Sequence, residues 1–222
     1  PTMFRHNLYL GQSCTSVVTR GNIVARASST GISQRGGGVS EDNLCLQNPL
    51  NLEFGHGQMA ATGQTAGGLI RNNVVLDSRN IDAANPRGSG IGACYAKDLE
   101  ISGNIVAQQR SGTGNVSGFE ISGTYENLTI RNNVVVNWTE PGFLYGGALK
   151  FTGTPRGAVV VRDNVFQQGL AGTQPGSLIY QEPAATLFRY SGNRYWTPNT
   201  GANVMTMGVT YAQWLTMSGE TG

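Results

Sequence analysis

LTIRNNVVVN, residues Leu128–Asn137, is the stretch on which the fold turns. Leu128 and Ile130 alternate with Thr129 and Arg131, the period-2 pattern of a strand with one buried face. Two asparagines follow, a residue type that lets a chain turn sharply, and then the apolar run Val134–Val136. The same phrase recurs along the chain. It reads VVTRGNIVAR at Val17–Arg26, GVSEDNLCLQ at Gly38–Gln47, GLIRNNVVLD at Gly68–Asp77, LEISGNIVAQ at Leu99–Gln108 and VVVRDNVFQQ at Val159–Gln168. A frayed copy, LFRYSGNRYW, runs from Leu187 to Trp196.

The marker asparagines are Asn22, Asn43, Asn73, Asn104, Asn133, Asn164 and Asn193, spaced by 21, 30, 31, 29, 31 and 29 residues. A near-constant period of this size is the mark of a solenoid. A second strand precedes each marker: HNLYL (6–10), GISQR (31–35), LNLEF (50–54), GIGACY (90–95), GFEIS (118–122), ALKFT (148–152) and SLIYQ (177–181). Each coil is therefore read as two strands joined by a short turn, with a loop of variable length after the second. Helical periodicity is missing and β-branched alternation recurs, so the repeat stacks strands rather than helices.

The expected fold is all-β: a single right-handed parallel β-helix of about seven coils over residues 1–200, closed by a capping segment at 201–222. The asparagines are expected to stack as a ladder, bonding to those above and below, in the left-handed conformation of the turn. In the tail, Thr210 with Gln213 fits a helix-capping box and Gly219 a helix stop. Met205, Met207, Val209, Trp214 and Leu215 are placed to plug the last coil. The N-terminal coil shows no such plug, so a chain extension or a partner is expected to cover it.

Composition agrees. The 222 residues include 32 Gly and two Lys, with a net charge of +2. So mild a charge argues against nucleic acid, and no apolar run reaches the ~20 residues needed to span a bilayer. Cys14, Cys45 and Cys94 lack metal or disulfide spacing and are read as small, wholly or partly buried hydrophobes.

The repeat, from Arg5 to Trp196, resembles the right-handed parallel β-helix proteins of the pectate-lyase-like superfamily. The tail YAQWLTMSGET is similar to the Trp-x4-Gly-[Asp/Glu] ending that follows β-helices in many secreted bacterial proteins of this group. The resemblance implies a protein outside the cell (periplasm and cell surface included) that binds or processes polysaccharide on one lateral face. That superfamily includes lyases, hydrolases, epimerases, tailspikes and adhesins, and the fold does not choose among them.

Alternation in the first strand of each coil puts Ile32, Leu52, Phe54, Ile91, Phe119, Ile121, Leu149, Phe151, Leu178 and Tyr180 inward. Glu53, Gly92, Glu120 and Lys150 then fall on an outward stripe with Arg35, Cys94, Ile179 and Gln181. Two mechanisms fit it. Glu53 and Glu120 lie two coils, ~9–10 Å, apart with Gly92 between, near the ~6.5–9.5 Å carboxyl separation of an inverting glycosidase. Alternatively, Lys150 is the base that removes the C5 proton of a uronate, as the resemblance to lyases implies. The substrate carboxylate would then be neutralised by Ca2+ on Glu120 or by a loop arginine. The plain reading of Glu120 and Lys150 is a surface ion pair worth ~0–1 kcal/mol. No cofactor is otherwise indicated.

Candidate substrate contacts come from the loops. The loop Ser78–Gly90 carries Arg79 and Arg87, and Gly55–Gly68 carries His56; His6 has the same status. Trp138 is the expected stacking platform for a sugar ring, with Phe143, Tyr145, Tyr180 and Tyr195 as other aromatic candidates. The leading expectation is a polysaccharide lyase or uronan-modifying enzyme. The alternatives are a non-catalytic glycan-binding, adhesin or tailspike-like helix, and an inverting hydrolase.

Overall fold

The chain winds as a parallel β-helix, which a computed structural model describes over residues 4–79, 81–82, 87–108, 116–138, 146–169, 177–181, 185–198, 205 and 208–220. Its strands form three sheets, and within each sheet they stack in chain order. The first sheet holds Leu8–Leu10, Thr30–Gln34, Leu50–Phe54, Ser89–Cys94, Val116–Ser122, Gly146–Phe151 and Ser177–Gln181. The second holds Val18–Arg20, Gly37–Glu41, Ala66–Arg71, Ala96–Ser102, Thr124–Arg131, Val159–Arg162 and Phe188–Ser191. The third is built of three-residue strands, from Ile23–Ala25 to Arg194–Trp196. Among the described residues each sheet thus carries seven strands along this path, and a short extra strand, Thr154–Pro155, pairs beside the second with Thr124 and Tyr125.

A coil therefore has three strands, where alternation alone suggested two. The recurrent phrase is not one strand but a strand, a corner and a second short strand. The corner is made by the residue before each marker, not by the marker. Gly21, Asp42, Asn72, Gly103, Asn132, Asp163 and Gly192 have φ between +54° and +67°, which Gly, Asn and Asp tolerate best. The marker asparagines keep negative φ and turn inward, where they form the expected ladder.

That ladder runs in one direction. The backbone N–H and the Nδ2 of each marker both donate to Oδ1 of the marker one coil further on, at 2.9–3.1 Å. Nδ2 also donates to a backbone carbonyl of the preceding coil, as Asn104 does to Ile70 O and Asn133 to Ile101 O. Five of the seven are at most 2% exposed. So buried an amide is tolerable only because its hydrogen-bonding groups are matched.

The interior is a set of like-with-like columns. Leu8, Ile32, Leu52, Ile91, Phe119, Leu149 and Ile179 stack on the first sheet. Val24, Cys45, Val75, Val106, Val135, Phe166 and Tyr195 stack on the third. Cys45 is fully buried in its column, as its reading as a small hydrophobe requires, and burial pushes its thiol up to about 12. The first and third sheets approach closely enough that a Cβ at Gly90 would sit 2.5 Å from Val106 and one at Gly118 2.4 Å from Val135. Only glycine fits there.

In the last coil the expected register is off by one. Ile179 pairs with Leu149, Tyr180 with Lys150 and Gln181 with Phe151, so Ile179 and Gln181 point inward and Tyr180 joins the outward stripe. A one-residue slip exchanges the two faces of a strand. Leu178 and Ile179 are both apolar and both buried, so alternation could not separate them.

The tail forms a helix, Tyr211–Ser218. Thr210 and Gln213 make the reciprocal capping box, and Gly219 ends the helix at φ +70°. Trp214 is 3% exposed and meets the Tyr190 ring edge-on at 4.8 Å; Met205 is buried beside the same core. Met207 lies outside the described residues.

Candidate functional site

Register brings the outward residues of the first sheet into one column: Tyr9, Ser33, Glu53, Gly92, Glu120, Lys150 and Tyr180. At its middle is a cavity of about 250 Å3 lined by Glu53, Glu120, His56, Arg87, Ser89 and Cys94, among others. The Ser78–Gly90 loop supplies Arg87, and the Gly55–Gly68 loop supplies His56. Arg87 and His56, each beside a strand of the first sheet, thus help wall a groove at the carboxylates, as loop residues on a rigid scaffold commonly do.

The two carboxylates sit in different surroundings. Glu53 accepts from Ser33 Oγ at 3.2 Å, and burial is the chief cause holding its carboxyl above the ordinary value, against the pull of Arg87 and Arg35. Glu120 accepts from Ser89 Oγ at 2.6 Å and meets Lys150 Nζ at 3.5 Å. Among the described residues the two acids thus have different partners, one a serine hydroxyl alone and the other a serine hydroxyl and an ammonium. Gly92 sits between them. A Cβ there would meet nothing nearer than 3.5 Å, and its φ is not in the left-handed region. The backbone does not need glycine at this position; the open space does.

Cations rim the groove on the side of the first coils. Arg87 Nη1 donates to Ser29 Oγ at 2.8 Å. The Arg35 guanidinium lies 4.8 Å from the centre of the Tyr9 ring and donates to Gln58 Oε1 at 3.1 Å. His56 Nδ1 accepts from the Gln58 backbone N–H. Burial, and after it Arg35 and Arg87, hold both His6 and His56 below the ordinary imidazole value. Both rings are thereby biased towards the neutral form.

Of the residues anticipated from sequence, Glu53, Glu120, His56 and Arg87 meet in one cavity, with Arg35 and Lys150 at its flanks. Two do not belong. Trp138 is 0% exposed and can offer no face to a sugar ring; it packs in the core. Arg79 lies apart, its guanidinium engaged by Asp77 at 2.8 Å. Nor is Lys150 a surface group. It is 7% exposed, beside Glu120 and 5.9 Å from the Tyr180 ring centre, so its pair with Glu120 is half-buried. Tyr195 packs against Phe166 and Tyr211. Phe143 and Tyr145 lie outside the described residues.

Sequence reasoning missed Ser89 and Tyr9 as members of the site. Ser89 stands one residue before the quoted GIGACY strand, and the only signal for it was the strand's extension. A calcium ion on Glu120 does not fit this arrangement. Lys150 already occupies that carboxylate, and among the described residues no three His, Cys, Asp or Glu side chains are grouped to hold a metal.

The fold and this groove define a parallel β-helix with a polar, carboxylate-floored cleft on one lateral face. No protein-family model matches the sequence, and comparisons with curated proteins and with solved structures return no match. Among the described residues no helix is long and apolar enough to cross a membrane.

Proposed function

We propose that this chain is a secreted carbohydrate-active β-helix that cleaves an acidic polysaccharide in the groove of its first sheet, in the manner of the pectate-lyase-like proteins it resembles. The observation that carries the reading is the Glu53–Gly92–Glu120 column, two unlike carboxylates held apart by a glycine the backbone does not require. The chemistry this supports best is hydrolysis with inversion. Glu53, whose carboxyl burial shifts towards the protonated form, gives its proton to the leaving glycosidic oxygen. Glu120 takes a proton from the attacking water on the opposite face of the ring, and the spacing leaves room for that water. Arg87 and Arg35 attract and orient the uronate carboxylates.

The lyase reading asks Lys150 to act as a base at C5. Its ammonium is engaged by Glu120 and set beside Tyr180, which suits a counter-charge to Glu120 better than a free amine base. Incubation with polygalacturonate, alginate and glycosaminoglycans separates these readings. New reducing ends without absorbance from unsaturated sugars are expected. Unsaturated products would make the protein a lyase. Binding with intact ligand would make it a glycan-binding helix. Neither cleavage nor binding would overturn the proposal.

A further inference from the structure

A second groove, of about 400 Å3, lies on the other side of the loop that supplies His56, at the corner between the first and second sheets. Its walls include Tyr95, Lys97, Thr124, Glu126 and Arg156, and helix α1 (Met59–Thr62) closes one side. Met59, 1% exposed, pins that helix to the core. The loop is thus a fixed partition between the two grooves.

Tyr95 is unusual. It has φ +53°, and among the described residues it is the only aromatic in the left-handed region. The residues that follow it in the stack are Gly123 and Gly153, at φ +71° and +90°, so glycine is the natural occupant of this corner. A bulky side chain in this conformation costs energy that only its surroundings can offset, and such outliers concentrate where a side chain is being used. Gly123 makes the room. A Cβ there would come within 3.0 Å of the Tyr95 ring, so the ring lies against a bare backbone and stays half-buried along the groove.

We propose that this second groove is a separate binding site for a uronate-bearing oligosaccharide, with Tyr95 as the ring platform and Arg156 as the carboxylate contact. A flat aromatic beside hydrogen-bonding ionic groups is what a sugar ring requires: its apolar face rests on the tyrosine while its edges find donors and acceptors. Lys97 and Glu126 pair with each other at 3.3 Å and supply both a donor and an acceptor. Arg156 is exposed and forms no ion pair among the described residues, leaving its planar fork for a carboxylate. The site would hold a long chain on the protein beside the cleaving groove.

The test uses tetragalacturonate as probe, on protein carrying Glu53→Gln and Glu120→Gln so that nothing is cleaved. Isothermal titration is expected to show tetragalacturonate binding, with the backbone amides of Gly123 and Thr124 shifting in NMR spectra. Tyr95→Gly and Arg156→Ala should each weaken the binding that shifts those amides at least tenfold. The thermal midpoint of Tyr95→Gly should stay within a few degrees of its parent, because glycine suits that corner. Undisturbed amides, or shifts that persist unchanged in both variants, would overturn the proposal. Because cleavage is not measured, failure of the hydrolytic reading leaves this outcome readable on its own.

Discussion

Glu220 stands where an eighth asparagine would stand. Its Oε1 accepts from both the backbone N–H and the Nδ2 of Asn193, at 2.9 and 2.8 Å, the two bonds that every earlier marker gives to its successor. Its Oε2 accepts from Tyr195 Oη at 2.8 Å. The tail motif thereby has a physical meaning. Trp214 plugs the core, Gly219 turns the chain back, and Glu220 closes the ladder. Glu220→Ala strands two buried donors, a cost of about 1–3 kcal/mol, or roughly 3–10 °C in thermal midpoint for a chain of this size. Glu220→Gln keeps the amide-facing oxygen and should cost less than half as much. Thermal denaturation followed by circular dichroism checks both, and equal losses would contradict the capping role.

Glu53 carries a pH prediction. Its folded-state carboxyl is raised, chiefly by burial, so the folded protein holds that proton more tightly than the unfolded chain does. Stability from this group is fully present below the ordinary carboxylate value and declines as pH rises through the raised one. Glu53→Gln should therefore be more stable than the parent at pH 7, by up to about 1 kcal/mol since the side chain is only half-buried. The difference should vanish near pH 4. Urea titrations at the two pH values measure it. Cleavage that needs protonated Glu53 falls over the same rise in pH.

The Glu120–Lys150 pair should respond unequally to its two deletions. Lys150 has a side chain 9% exposed, whereas that of Glu120 is 32% exposed. Glu120→Gln leaves a nearly buried ammonium without its counter-charge and should cost about 3 kcal/mol. Lys150→Met removes the charge that needed compensating and leaves a carboxylate that water can reach, at a cost of about 1 kcal/mol or less. Chemical denaturation of the two variants decides the matter; equal, negligible costs would return the pair to an ordinary surface contact.

Gly92→Leu separates space from structure. The position has room for a Cβ and ordinary backbone angles, so the variant should fold with stability within about 1 kcal/mol of the parent. The leucine would fill the gap between Glu53 and Glu120 and should lower cleavage of an acidic polysaccharide by more than about 100-fold. Retained cleavage would remove this column from the mechanism.

The repeat made most of the architecture legible, because a column averages the signal of its stacked strands. Ile91 or Phe119 alone is ambiguous; as members of one column they are not. The same averaging exposed Glu53, Gly92 and Glu120 as neighbours although 67 residues separate the two acids in sequence. Features that break the repeat stayed hidden. Asn132 and Asn133 look alike as letters, yet one turns the corner and the other builds the ladder. SLIYQ has apolar residues at adjacent positions, so its register rested on pairing with Leu149 and Lys150. Trp138 and Lys150 were misjudged because burial depends on neighbours in space, here the core for Trp138 and Glu120 and Tyr180 for Lys150, which alternation does not encode. Glu220 left a trace only through the tail motif.

The one-way ladder has an electrical consequence. Every amide in it gives one Nδ2 hydrogen to the oxygen of its C-terminal neighbour, so the side-chain dipoles add head to tail along the axis. Positive potential gathers beyond Asn193, as it does at the amino end of an α-helix, where anions are favoured. A carboxylate at that spot supplies both a lone pair and a counter-charge, which another carboxamide could not.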